Sequence, residues 1–126
     1  MAGRLPRLSI RLDFESGRLG PGKAELLEHI ARERSIAAAA RAMDMSYKRA
    51  WELVGELNQM FRAPVVTTLP GRNVAGSAAL TEFGRSVIDE YRADEAAARP
   101  AARPSLQRLA RALRPARSAR KVTAKR

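Results

Sequence analysis

Hydrophobic and polar residues alternate one by one near the start of the chain. Leu8, Ile10, Leu12 and Phe14 are each followed by a polar residue, and a period of two predicts a strand with one buried and one solvated face. Leu19 lies just beyond a Ser-Gly turn, in a short segment that is able to pair with this strand. The chain is therefore expected to begin with a β-strand.

The hydrophobic period then becomes helical. Leu26, Leu27 and Ile30 form one stripe at the spacing of an α-helix. Pro21 suits the first helical turn, because the N–H that proline lacks is not needed there. A helix from about Pro21 to Arg34 is predicted.

Residues 35–58 predict two helices joined by a tight turn. Ile36 opens the first helix, and four alanines follow, whose small side chains let a neighbouring helix cross closely. Asp44 and Met45 interrupt the pattern, and Ser46 is a good N-cap for the second helix. A helix, a short turn and a second helix form the helix-turn-helix motif, whose second helix enters the major groove of DNA.

The second of these helices has one apolar and one polar face. The apolar arc of the helix over residues 46–61 contains Ala50, Leu53, Val54, Leu57, Met60 and Phe61. Ser46, Tyr47, Lys48 and Arg49 stand together in its first turn, the part that reads bases in helix-turn-helix proteins. Trp51, the single tryptophan, lies nearer the polar arc, so either DNA or a neighbouring helix has to cover it. We predict that these five residues contact DNA; an ordinary amphipathic helix with a solvated face is the alternative.

A β-hairpin is predicted after this helix. A proline stops the helix, the β-branched residues 65–68 predict a strand, and the glycine-bearing loop 69–78 leads into a return strand. This hairpin would be a wing, with Arg72 and Asn73 near its tip to touch a phosphate or a minor-groove edge. A polar loop tip without DNA contacts is the alternative.

A last helix is predicted to follow Thr81, its N-cap, and to extend for about 15 to 18 residues. Gly84 leaves room for a close neighbour. The apolar stripe is wider than a small domain needs to cover, which favours pairing with the same helix of a second copy across a two-fold axis. Packing within one protomer is the alternative, and the two are compatible. The predicted dimer-interface residues are Phe83, Val87, Ile88 and Tyr91.

The order of these elements predicts a mainly α protein with a small β component. The expected fold is a winged helix-turn-helix with an N-terminal strand, a β-hairpin wing and a C-terminal dimerisation helix.

Charge divides the chain into two parts. Of the 126 residues, 24 are Lys or Arg and 13 are acidic, so the net charge is +11. Residues 1–98 hold every acidic residue and 14 of the basic ones, whereas residues 99–126 hold ten basic residues and no acid. We expect residues 1–98 to form the winged domain. Residues 99–126 are expected to be a disordered polycationic tail, able to form a short basic helix over residues 105–114 and to contact phosphates.

Composition argues against catalysis, metal binding and a membrane location. Cysteine is absent and His29 is the single histidine, which excludes thiol nucleophiles, zinc–thiolate sites and histidine clusters. No apolar run is long enough to span a membrane, and the N-terminus lacks the apolar segment of a secretory signal. The prediction is a cytoplasmic, nucleoid-associated protein that is not an enzyme, needs no cofactor and holds no metal.

Three short strings resemble the DNA-binding domain of the ModE family of molybdate-responsive transcriptional regulators. They are Ser-Tyr-Lys-Arg-Ala-Trp at residues 46–51, Glu-Leu-Asn-Gln-Met at residues 56–60 and Leu-Thr-Glu-Phe-Gly at residues 80–84. The similarity covers roughly residues 5–95. The helix-turn-helix is also similar to that of LysR-type regulators, at Ser35, Ala39, Ala40, Met45 and Ser46.

The resemblance implies a dimeric winged-helix DNA binder. It carries over Ser46, Tyr47 and Lys48 as DNA contacts and adds Ser35 as a candidate. The ModE family continues into molybdate-binding domains, whereas this chain has the basic tail, so we expect no small-molecule effector domain in it.

The leading hypothesis is a transcription regulator that binds palindromic double-stranded DNA as a homodimer, with the tail adding non-specific phosphate contacts. A nucleoid-type architectural DNA binder is one alternative. A winged-helix module that binds proteins is another, because Glu52 and Glu56 lie on or near the proposed DNA face and repel phosphates.

Overall fold

The computed structural model describes residues 5–68 and 77–115. The elements in chain order are β1 (Leu12–Phe14), β2 (Gly17–Leu19), α1 (Pro21–Glu33), α2 (Ile36–Ala42), α3 (Tyr47–Met60), β3 (Val66–Thr68), β4 (Ala78–Leu80) and α4 (Glu82–Ala112). Residues Ser9–Ala97 form one compact unit, and Met1–Leu8 together with Ala98–Arg126 form the other.

The N-terminal strand is present but shorter than its sequence pattern. β1 pairs antiparallel with β2, with Leu12 opposite Leu19, which confirms the expected pairing segment. Leu8 and Ile10 precede β1. Ile10 and Leu12 nevertheless pack against the core, so alternation correctly marked the inward side chains, whereas Phe14 is 45% exposed.

Three helices surround the core of this unit. α1 begins at Pro21 as predicted and ends at Glu33, and its C-cap Arg34 turns the chain with a φ of 55°. α2 packs against both α1 and α3, and its Ala39 and Ala40 are buried, as expected for small residues at a close helix crossing. On α3 the predicted apolar arc is confirmed, since Ala50, Leu53, Val54 and Leu57 are buried.

A second hairpin joins this helical core to α4. β3 pairs antiparallel with β4, and the α1–α2 link adds a bridge from Ser35 to Ser77. Thr81 accepts a hydrogen bond from the Gly84 amide at 2.8 Å, which confirms it as the N-cap of α4. The arrangement is a winged helix-turn-helix, mainly helical with two small two-stranded sheets.

The last helix differs from its prediction. The sequence predicts an end near Ala98, but α4 continues through Pro100 and Pro104 to Ala112. Its second half is rich in alanine and arginine, both strong helix formers. Each proline removes one main-chain hydrogen bond and disfavours the helix, so the prolines by themselves predict an earlier end than the structure has.

Candidate nucleic-acid interface

The turn between α2 and α3 fixes the direction of α3. Asp44 has a φ of 58°, a left-handed conformation that Asp tolerates better than most residues. The Met45 amide donates to the Ala40 carbonyl at 3.0 Å, closing the turn onto the end of α2. Ser46 then caps α3, since its hydroxyl oxygen accepts from the Arg49 amide at 3.0 Å, as predicted. These two hydrogen bonds fix the turn and with it the direction in which α3 begins.

The structure brings together the five residues predicted on α3. Ser46, Tyr47, Lys48 and Arg49 are all exposed at its N-terminal end, and Trp51 is 41% exposed one turn further on. Since the opposite face is buried in the core, this is the solvent-exposed face of α3. A major groove admits one α-helix, so the geometry suits the predicted role.

Tyr47 and Trp51 form a pair on the surface of α3. Their ring centroids are 6.3 Å apart with an interplanar angle of 90°, an edge-to-face arrangement. The Trp51 indole N–H also donates a hydrogen bond to the Tyr47 hydroxyl oxygen. The sequence suggested that a neighbouring helix or DNA had to cover Trp51; in the structure the ring packs on Tyr47, four residues earlier on the same helix.

The two acidic residues near this face each have a cation beside them. Arg49 lies 3.5 Å from Glu52, and Lys23 of α1 lies 3.2 Å from Glu56. Lys48 forms no ion pair within residues 5–68 and 77–115. The repulsion of phosphates by the two carboxylates is thus partly offset, and Lys48 is left available to a phosphate.

The remaining predicted contacts lie outside α3. Ser35 caps α2 by accepting from the Ala38 amide at 3.0 Å, next to the base of the β3–β4 hairpin. Because the Ser35 oxygen acts as the acceptor in this cap, its hydroxyl proton can donate to another group. Arg72 and Asn73, predicted for the wing tip, lie outside the described residues.

Two features of α3 were not predicted. The Asn58 side chain accepts from the amides of Val65 and Val66 at 2.7 and 3.1 Å and donates to the Val66 carbonyl at 3.0 Å, so it fixes β3. Gly55 lies within the helix where an added Cβ would have no heavy atom within 4 Å apart from the local backbone of α3 itself. The asparagine could have been suspected from its border position on the helix, whereas open space around a glycine has no signature in a single sequence.

The predicted dimer residues differ in how exposed their side chains are. Tyr91 is fully buried and donates to the Ile10 carbonyl at 2.7 Å, so within one protomer it is a core residue, and its contact with a partner stays a prediction. Val87 and Ile88 are also buried in the protomer core, whereas Phe83 is 37% exposed. The stripe is wide because part of it is used within the protomer, where Tyr91 bonds to Ile10 and Val87 and Ile88 belong to the core.

Phe83 belongs to an aromatic surface that the sequence did not reveal. Phe61 contacts both Phe14 and Phe83 edge to face, at centroid distances of 6.1 and 5.4 Å. These three residues, called the aromatic surface below, line a mainly apolar groove together with Leu12 and Ser86. They come from β1, the end of α3 and the start of α4, so no local period connects them.

Other kinds of site are absent from the described part of the chain. Residues 5–68 and 77–115 contain no cluster of three or more acidic or histidine side chains that could hold a metal ion. Across the same residues, no helix combines the length and the apolar character needed to cross a membrane.

Comparison with known proteins agrees with the geometry of α2 and α3. Residues 22–85 match the family described as bacterial regulatory helix-turn-helix protein, lysR family. The chain is 43% identical over 94 residues to the molybdenum-pterin-binding protein MopB of Rhodobacter capsulatus, covering 75% of this chain and 34% of that protein. It is 36% identical over 91 residues to the molybdenum transport protein ModE of Azotobacter vinelandii, covering 72% and 33%.

A third relative is named for DNA binding. The chain is 37% identical over 71 residues to the DNA-binding transcriptional dual regulator ModE of Escherichia coli, covering 56% of this chain and 27% of that protein. The chain thus spans about a third or less of the length of these curated relatives. Because the family match covers half of the chain, from α1 to the start of α4, the protein belongs to the LysR family of bacterial regulatory helix-turn-helix proteins.

Proposed function

We propose that this protein is a transcription regulator that binds double-stranded DNA with α3 in the major groove. The observation that carries the proposal is the exposed run Ser46 to Arg49 with Trp51, presented on a helix whose other face is buried. N-terminal residues of such a helix read base edges in helix-turn-helix proteins. Lys48 supplies a free cation beside them, which suits a phosphate or a guanine edge.

Selection of bound duplexes from a random pool by the full chain, followed by footprinting, tests this proposal. We expect one discrete, palindromic site at physiological salt. K48A should weaken binding to it, by about 1–3 kcal/mol if Lys48 touches a base, whereas R85A, which removes an exposed charge from α4, serves as the matched control. Equal affinity of the wild-type chain for every duplex would refute sequence-specific regulation.

Ser35 and the wing complete the proposed surface. Ser35 lies beside the β3–β4 hairpin, and its hydroxyl proton can bond a phosphate oxygen. Arg72 and Asn73 of the wing, residues 69–78, are proposed to reach the adjacent phosphates or the minor groove. S35A and R72A should each lower affinity to a similar degree on all sequences, which distinguishes phosphate contacts from base contacts.

A homodimer is the proposed binding form, because a palindromic site matches a two-fold protein. The aromatic surface takes the place of the buried stripe as the proposed contact. Phe14 and Phe83 remain 45% and 37% exposed and adjoin an apolar groove, and aromatic side chains are enriched in protein interfaces. The three aromatic side chains of this surface carry no charge, which favours a second protein copy over DNA, whose phosphates attract cations.

Residues 99–126 are proposed to add non-specific phosphate contacts. If their ten cations all neutralised phosphates, the salt dependence of the binding constant would steepen by up to about nine. A truncation after Ala98, close to the boundary of the unit Ser9–Ala97, separates two functions. Retained site selection identifies a regulator with an accessory tail, whereas loss of binding to every sequence favours the architectural binder.

The protein-binding alternative depended on Glu52 and Glu56. In the structure Arg49 and Lys23 stand beside these carboxylates and reduce their repulsion of phosphates, and duplex binding at physiological salt decides between the two functions. We further propose binding without an added effector, in the cytoplasm on nucleoid DNA. Added molybdate should leave the dissociation constant unchanged; a reproducible shift would contradict effector-free binding.

A further inference from the structure

Tyr47 and Trp51 are both on the proposed DNA face, but their hydrogen bond gives them different roles. Tyr47 is the first residue of α3, at the end that meets the bases, and Trp51 lies four residues later, one turn away on the same face. The indole N–H donates to the tyrosine oxygen. Indole nitrogen is a donor only, whereas a phenol can donate and accept.

We propose that Trp51 is a positioning residue that turns Tyr47 into an outward hydrogen-bond donor toward DNA. With its oxygen accepting from the indole, the Tyr47 hydroxyl directs its own proton away from Trp51, toward solvent or a ligand. The atom that this proton recognises is an acceptor: a phosphate oxygen, or an acceptor on a base edge such as guanine O6 or thymine O4. The inference rests on the proposed function and specifies the chemistry of its site.

The ring contact strengthens this arrangement. An exposed tyrosine loses rotamer freedom when it binds, which lowers affinity. The perpendicular indole, 6.3 Å away between ring centroids, restricts the Tyr47 ring before DNA arrives. Both rings remain about 40% exposed, so the pair is accessible and contributes little to the core.

The hydrogen bond can be observed directly because the chain has one tryptophan. In an NMR spectrum of the full chain, the single indole N–H signal should shift in Y47F, which removes the acceptor oxygen and keeps the ring. Y91F, at the other tyrosine, removes a hydroxyl bonded to the Ile10 carbonyl and should leave the indole signal in place. An indole signal unchanged in Y47F would overturn the inference without touching the question of DNA binding.

The effect on DNA binding is tested by a double-mutant cycle on the selected duplex. Y47F should weaken binding about tenfold, the value of one lost hydrogen bond, and W51F should weaken it about three- to tenfold because the ring remains but the donor is gone. The double variant should be no weaker than about tenfold, since Trp51 acts through Tyr47. Additive losses of about thirtyfold or more would show that Trp51 contacts DNA independently, and would overturn the positioning role.

Two further readouts complete the test. A loss in Y47F that is equal on all duplexes identifies a phosphate acceptor, with the salt dependence unchanged because the tyrosine is uncharged, whereas a loss confined to one base pair identifies a base acceptor. W51F with wild-type affinity and selectivity would overturn the inference. Failure of the proposed function looks different, because the wild-type chain would then bind no duplex preferentially while the indole signal would still respond to Y47F.

Discussion

Gly84 approaches Val65 so closely that a Cβ on the glycine would lie 2.2 Å from the Val65 carbonyl oxygen. The Thr81 amide donates to that same carbonyl at 2.9 Å. The first turn of α4 therefore rests directly on the backbone at the start of the wing, and this contact fixes where the hairpin leaves the domain.

G84A should destabilise the protein by about 2–3 kcal/mol, because overpacking forces backbone shifts. Thermal or urea unfolding measures the change. G22A is the matched control, since a Cβ on Gly22 meets nothing within 4 Å. Equal stability of the two variants would contradict the close contact.

Asn58 should be needed to hold β3 in place. N58A removes two acceptor contacts and one donor contact to the backbone of Val65 and Val66, and should cost about 2–3 kcal/mol because buried backbone groups lose their partners. Q59A changes the adjacent exposed residue and should be neutral within about 0.5 kcal/mol. If urea unfolding finds the two variants alike, Asn58 has no such role.

Acid should weaken the contact between α1 and α4. Arg92 donates two hydrogen bonds to Glu28, at 2.8 and 2.9 Å, and these bonds lower the pKa of the Glu28 carboxyl. A carboxyl with a lowered folded pKa contributes stability that is fully present above its ordinary pKa of 4.5 and is lost as the pH falls through the folded value. The stabilisation should thus disappear in the acid range below 4.5.

E28Q tests this pH dependence in unfolding experiments between neutral and acid pH. At neutral pH it should lower stability by about 1–2 kcal/mol, a value limited by solvent screening of this partly exposed pair. The difference from wild type should shrink in acid. E33Q, at an exposed residue of the same helix, should differ from wild type at neither pH; a gap for E28Q that stayed constant would contradict the assigned cause.

Gly55 should separate stability from DNA affinity. Because a Cβ at Gly55 has open space, G55A should stabilise α3 by about 0.5–1 kcal/mol. The position lies on the proposed DNA face, so the same methyl group should weaken duplex binding. Gly22 is the other helical glycine with open space around it, so G22A should leave DNA affinity unchanged. If G55A also left the affinity unchanged, DNA would not approach this part of α3.

The aromatic surface should control self-association. F83E places a charge beside Phe61 and the apolar groove and should shift sedimentation equilibrium toward monomer at a given concentration, with folding retained because Phe83 is partly exposed. R85A serves as the control, because Arg85 is exposed on the same helix but does not line the groove. An F83E chain that associates as tightly as wild type would remove this surface from the proposed interface.

Sequence patterns predicted most elements because those patterns are local. The period of α3 identified the buried Leu53 and Leu57, and the cap residues Ser46 and Thr81 marked helix starts, since an N-cap bonds an amide only three residues away. The exposed group on α3 was predicted for the same reason: neighbours along one helix are neighbours in space.

Contacts between distant segments could not be obtained in this way. These contacts join residues whose separation along the chain has no periodic signal. They are the bonds of Asn58 to the Val65 amide, of Arg92 to Glu28 and of Tyr91 to Ile10, and the ring contacts of the aromatic surface. The single sequence therefore determined that a winged helix-turn-helix forms and which helix face is polar. Tertiary structure decided that Tyr91 belongs to the core and Phe83 to the surface, because burial depends on which segments pack together and not on the apolar character of a side chain alone.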